Sequence, residues 1–188
     1  MEKNTQIQII RSSRKTISMR ITGPNAVEVR APRNMPQAQI DHFLQQHQAW
    51  MEKHLGMVNR REEEISKLPP LTDTEIRALA NKALAYIPQR ARYFSRLIGV
   101  TYGRITIRNQ KSKWGSCSGQ GNLNFNCLLM LCPPEVLDYV VVHELCHRKE
   151  MNHSPRFWAE VEKIDPNYKA HRKWLKDEGS KLIARMKQ

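Results

Sequence analysis

The chain has 188 residues, with 31 Lys+Arg against 18 Asp+Glu and a formal net charge of +13. That length supports one domain with a real core, and the surplus of positive charge suits anionic partners as well as a solvated surface. No apolar stretch approaches the roughly 20 residues of a membrane span, and the N-terminal MEKNTQIQIIRSSRK has no apolar signal region, so a membrane-embedded or exported protein is disfavoured and the cytoplasm is expected.

Gln6 to Arg11, Thr16 to Ile21 and Ala26 to Ala31 read as short strands, with Gly23-Pro24-Asn25 as a turn. Pro36 to Leu55 reads as an amphipathic helix: Ile40, Phe43, Leu44, His47, Trp50 and Met51 follow helical spacing, with His47 at the core edge. Gly56 to Pro70 is a connector, part of which can extend that helix. Thr72 and Glu75 form a capping box, opening a helix that runs towards Gly99 with a kink or break at Pro88. Arg104 to Arg108 and Asn122 to Met130 read as strands, separated by a loop punctuated by Gly115, Gly119 and Gly121. The whole reads as a single domain over 1–188, with 1–70 holding strands, helix and connector and 71–188 holding the chemistry.

The apolar run Val136 to Val142 fits a strand or a buried helix. Pro133-Pro134-Glu135 decides for a helix, because proline fits the first turn and glutamate complements the positive end of the dipole. The helix is expected from Pro134 to about Lys149. The four cysteines, Cys117, Cys127, Cys132 and Cys146, contain no CxxC pair and read as free, buried thiols.

The apolar run leads into HELCHRKEMNHSPRFW, residues 143–158. His143 and His147 are four residues apart, so on a helix they project from one face about 40° apart and can chelate one metal ion. Glu144 lies about 100° round from His143, beside the metal, where it can take a proton from water. HExxH alone arises by chance in about one chain of this composition in fifty; requiring His153 ten residues after His143 lowers that to about one in fifteen hundred. A continuing helix would carry His153 about 15 Å from His143, so the helix must stop and turn back. Asn152 is a candidate left-handed cap, Ser154 an N-cap and Pro155 the first residue of a new helix packed by Phe157, Trp158 and Val161. Three protein ligands with one open position is the catalytic pattern for zinc.

The stretches SKWGSCSGQGNLNFN (Ser112 to Asn126) and DYVVVHELCHRKEMNHSPRFW (Asp138 to Trp158) closely resemble the YgjP-like metal-dependent hydrolases, which are grouped with zincin metallopeptidases. The motif is also similar to that of Wss1-like proteases. RSSRKTISMRI, VEVRAP and HRKWLK extend the resemblance over most of the chain. It implies a small α+β zincin fold, with an N-terminal antiparallel sheet, helices, an active-site sheet and an HExxH helix. It further implies one zinc ion per chain on His143, His147 and His153, with Glu144 as general base. Metzincins share the histidine spacing but place glycine where this chain has Glu150, and Met186 is too near the C-terminus for their Met-turn.

Trp114-Gly115-Ser116-Cys117 fits either a tight turn anchored by tryptophan or a wall of the cleft. Asn122 to Asn126 is the candidate edge strand for extended substrate, with Asn124 and Asn126 as candidate substrate-binding amides. Cys146 is expected to pack at the helix flank rather than ligate. Tyr168, His171 and Arg148 are the candidates for oxyanion stabilisation.

Three functions fit. The first is a zinc metallopeptidase acting on peptides or proteins. The second is a metal-dependent nucleotide pyrophosphatase hydrolysing phosphoanhydrides, favoured by Arg104, Arg108, Lys111 and Lys113 but lacking a Gly-rich phosphate loop. The third is a nucleic-acid-binding module with structural zinc, opposed by the absent fourth ligand, or its hybrid, a nucleic-acid-associated peptidase. Any nucleic-acid binding through the basic surface is expected to be non-specific.

Overall fold

The computed structural model describes residues 5–186. By its internal contacts the chain divides into two compact units, one ending at Leu68 and the other starting at Pro69. The fold is mixed α+β, with a three-stranded sheet in each unit.

In the first unit β1 (Gln6–Ser12), β2 (Ser18–Gly23) and β3 (Ala26–Pro32) form a sheet in the order β1-β3-β2. Pro24 and Asn25 turn β2 into β3, with Asn25 in the left-handed region at φ 51°. β2 pairs antiparallel with β3, as expected, but β1 pairs with β3 in parallel, so the sheet is mixed. Alternate residues Val27, Val29 and Ala31 are fully buried, packed with Ile40 and Leu55 of the helices that follow. Those helices are α1 (Gln37–Gln46) and α2 (Gln48–Ser66), not one. The break is at His47, where φ is −107° and the imidazole Nδ1 pairs with the Phe43 carbonyl at 2.8 Å. α2 absorbs most of the expected connector.

In the second unit α3 (Asp73–Ile98) opens on Thr72, whose side chain accepts from the Glu75 amide while Glu75 accepts from the Thr72 amide. It closes on Gly99 at φ 74°, a left-handed conformation that suits glycine. Pro88 does not break it, because the buried stripe Ala83, Ile87 and Ala91 holds both halves against the core. The second sheet joins β4 (Ile105–Arg108), β5 (Gly115–Cys117) and β6 (Leu123–Asn126) in the order β4-β6-β5. Cys127–Leu131 then forms a 3₁₀ turn where a longer strand was expected. α4 (Pro134–Cys146) follows, tied to α3 by a two-pronged Arg90–Asp138 pair, both hydrogen bonds 2.7 Å long. α5 (Pro155–Ile164), α6 (Tyr168–Trp174), a π turn over Leu175–Gly179 and α7 (Ser180–Ala184) complete the unit. Leu123, Phe125, Val141, Leu145 and Phe157 are fully buried in its core. Cys127 and Cys146 are buried, Cys117 and Cys132 half-buried, and all four thiols are free. No helix among the described residues is long and apolar enough to cross a membrane.

Candidate metal centre

α4 ends at Cys146, three residues earlier than expected, and His147 is its cap residue. The chain then tightens: the Arg148 amide donates to Leu145 and the Lys149 amide to Cys146, both at 2.9 Å. These short-range bonds narrow the last turn and start the reversal that the ligand spacing requires. Asn152 does not supply a left-handed cap, since Asn25 is the one non-glycine residue with positive φ among those described. Its side-chain oxygen instead accepts the Ser154 amide at 3.2 Å, a local turn that needs no positive φ. Ser154 caps α5 by accepting the Phe157 amide, and Pro155 takes the first helical position, both as expected.

The corner brings His143, His147 and His153 together, with one ligand atom from each lying within 4.8 Å of the others. The Nε2 atoms of His143 and His153 are 3.1 Å apart. Two nitrogens on a tetrahedral zinc at about 2.0–2.1 Å would be separated by about 3.3 Å, so the pair is already spaced for an ion. His147 Nδ1 lies 3.0 Å from the Glu150 carbonyl oxygen. A carbonyl can only accept, so Nδ1 carries the proton and Nε2 keeps its lone pair free. Burial and the neighbouring imidazoles push His143 down to about 3, so it is neutral and able to ligate. The donor set therefore fits a borderline metal such as zinc. His143 Nδ1 is buried without a hydrogen-bond partner among the described residues.

Aromatic packing fixes the rings. Phe157 stacks on His147 at 4.5 Å between centroids and meets His143 edge-on at 4.9 Å. Trp158 stacks on His153 at 5.6 Å, with Tyr168 parallel to the same indole at 5.2 Å. Tyr139, read in sequence only as part of the apolar run, stands edge-on 5.8 Å from His143.

Glu144 is 5% exposed and lies against Gly115, where a Cβ would stand 2.7 Å from its Oε1. Burial raises its carboxyl to about 8, opposed by the charge of Lys113. A dication nearby would supply the counter-charge this slot lacks. Gly115 thus belongs to a wall of the site, and Trp114-Gly115 is not merely a turn: residues 115–117 form the edge strand β5.

The expected edge strand needs correction. β6 is central, flanked by β4 and β5, so its backbone is paired on both sides. Asn126 is fully buried; its amide donates to the Gln110 and Lys113 carbonyls and accepts from Leu128. It has no free amide to offer a substrate. Asn124 is half-buried and donates to Ser116 Oγ at 3.2 Å. Of the oxyanion candidates, Tyr168 is buried against Trp158 and Arg148 donates to the Thr101 and Gly119 carbonyls. His171 is held by Asp165 at 2.8 Å through Nδ1. Cys146 is fully buried and outside the ligand cluster, as expected.

A family model described as YgjP-like, metallopeptidase domain, matches residues 15–77 and 71–178. The chain belongs to the YgjP-like family. It is a hydrolase of the metallopeptidase type, and membership of the YgjP-like family implies a metal, which the histidine cluster could hold. A comparison with curated proteins gives no match. Among the solved structures that match, two are similar over just under half of the chain. The metallopeptidase zymogen abylysin of Pyrococcus abyssi is 26% identical, over 48% of this chain and 93% of its own, with a TM-score of 0.44. The metallopeptidase zymogen jannalysin of Methanocaldococcus jannaschii is 21% identical, over 49% of this chain and 95% of its own, with a TM-score of 0.44.

Proposed function

We propose that this protein is a zinc-dependent peptidase in which His143, His147 and His153 hold one zinc ion and Glu144 is the general base. The observation that carries the reading is the convergence of three imidazole nitrogens beside one buried carboxylate. When bound, zinc supplies a Lewis acid that makes water nucleophilic near neutral pH. Glu144 would take a proton from the attacking water and pass it to the departing amine. Gly115 leaves room for the carboxylate, because any side chain there would displace it.

The free side of β5 is the surface for an extended peptide, which would add as a further strand through main-chain hydrogen bonds. β5 packs against α4, so a peptide on that edge runs past the base. Lys113 lies near enough for its charge to act on Glu144, which favours acidic or phosphorylated groups in the substrate. The same charge keeps nucleotide hydrolysis as the competing activity.

One panel tests this: zinc-loaded protein against casein, a peptide library and nucleoside triphosphates, each with and without chelator. Chelator-sensitive cleavage of casein or peptides is the expected result. Turnover of nucleotides alone would replace the peptidase reading, and no metal-dependent hydrolysis in any arm would remove both.

A further inference from the structure

Glu144 is held in an unusual way for a buried carboxylate. No hydrogen bond or ion pair to its oxygens occurs among the described residues, and burial and the charge of Lys113 are what act on it. Its position is therefore set by packing, and its nearest wall is Gly115, with a Cβ there predicted at 2.7 Å from Oε1 and 2.8 Å from Cγ. Whatever places Gly115 places the carboxylate.

β5 is a weak element by itself: three residues at a sheet edge, paired on one side only. On that side Gly115 stands opposite Phe125, and the Trp114 carbonyl accepts the Asn126 amide at 2.8 Å. Ser116 Oγ accepts from Asn124 and β5 packs against α4, and further support comes from the Trp114 indole, which is seated on Gly179. A Cβ at 179 would lie 2.8 Å from Cζ2 and 3.3 Å from Cε2 of that indole. Gly179 is buried at the end of the π turn Leu175–Gly179, whose Leu175 borders the same spot. A π turn widens the helix locally and is often found at functional sites. Here it brings a residue without a side chain against a rigid ring.

We propose that Trp114, seated on Gly179, is a positioning residue for Glu144. Gly179, Trp114, Gly115 and Glu144 form one continuous stack, with a glycine at each place where a side chain would push the next member. The C-terminal helices thereby set the placement of the base through Trp114 and Gly115. The role in turnover rests on the reading of Glu144 as general base.

The test is a double-mutant cycle on the full-length, zinc-loaded protein, read with the substrate that the activity panel identifies. Gly179→Ala must push the indole, because a ring cannot bend away as a flexible chain would. Misplacement of about 1 Å can cost on the order of a hundredfold in rate, so a shift of a few tenths of an ångström should lower kcat about tenfold. KM and metal content should change little. Trp114→Phe removes the ring atoms that Gly179 meets. In that background Gly179→Ala has nothing to push, and its effect on kcat should vanish. Independent, multiplicative losses in the double variant would overturn the proposal.

Crystal structures of zinc-loaded wild type, Gly179→Ala and Trp114→Phe read the same stack without any substrate. The Glu144 carboxylate should shift relative to the three imidazoles in both variants. An unmoved carboxylate in both would end the proposal, even if one of them lost activity. Undiminished hydrolysis by Glu144→Gln would instead refute the base reading and leave the crystallographic result standing, so the two failures are distinct.

Discussion

His147 Nδ1 is hydrogen-bonded to the backbone carbonyl of Glu150, three residues further along the chain and 3.0 Å away. The turn that ends α4 thus fixes the tautomer of the second histidine of the cluster as well as reversing the chain. Purified protein should hold about one zinc per chain, and His143→Ala and His147→Ala should each lose most of it, since two imidazoles rarely retain zinc against buffer. Elemental analysis decides the matter: full metal retention in both variants would mean that the histidines do not form the site.

Glu144→Gln should keep the fold and the metal but lose hydrolysis. Glutamine is nearly isosteric and fits the same slot against Gly115. It cannot accept the proton, so turnover should fall by about 10²–10⁴-fold. Hydrolysis and zinc content should be measured on the same samples. Equal turnover by wild type and variant would take Glu144 out of the mechanism.

The metal-free protein should lose stability as pH rises above about 7, once most unfolded chains have lost the protons of His143 and His147, which burial keeps neutral in the folded state. Burial raises the folded Glu144 carboxyl from 4.5 to about 8, so between those values the folded state binds the extra proton. Stability then falls with rising pH. The slope stays below about 1.4 kcal/mol per pH unit, because folded Glu144 itself titrates near 8 and the histidines oppose it, so the loss is on the order of 1 kcal/mol between about pH 7 and 8. Below about 7 the histidines have the opposite sign: burial lowers His143 from 6.5 to about 3 and also lowers His147, and the unfolded chain takes up those protons first. Denaturation of chelator-treated protein across this range should show the alkaline decline, and Glu144→Gln should abolish it. An identical decline in the variant would trace the effect to another group.

Arg148→Ala should destabilise the protein by about 1–3 kcal/mol, leaving two carbonyls without their donor. Its guanidinium donates to Thr101 and Gly119, and a Cβ at Gly121 would lie 2.7 Å from its Cζ. Activity per folded molecule should survive. A collapse of kcat with an intact melting transition would return Arg148 to the list of groups that act on the substrate.

The histidine cluster was legible because its spacing is a property of the helix and of the residues that end it. Pro133-Pro134-Glu135, HExxH, Ser154 and Pro155 are local signals, and each works locally. β5 left no such trace: Gly115-Ser116-Cys117 has no alternation, and it becomes a strand only because β6 is there to pair with it. The same is true of β1, whose parallel partnership with β3 depends on where the chain goes after the turn. The break at His47 carries no proline or glycine to announce it. Asn126 illustrates the limit for side chains: its amide reads as a polar group on offer, but burial and three hydrogen bonds make it a brace for the 110–113 loop.

The corner between α4 and α5 has no slack. Its six residues from His147 to Asn152 are spent on tightening one helix end and turning towards His153, and Ser154 is already the cap of the next helix. A single inserted residue would rotate or displace His153 while leaving every ligand present in the sequence. Length variation here should therefore be far less tolerated than substitution at the exposed positions of the same loop. Deletion scanning would register the corner as a fixed ruler, although half of its side chains are exposed to water.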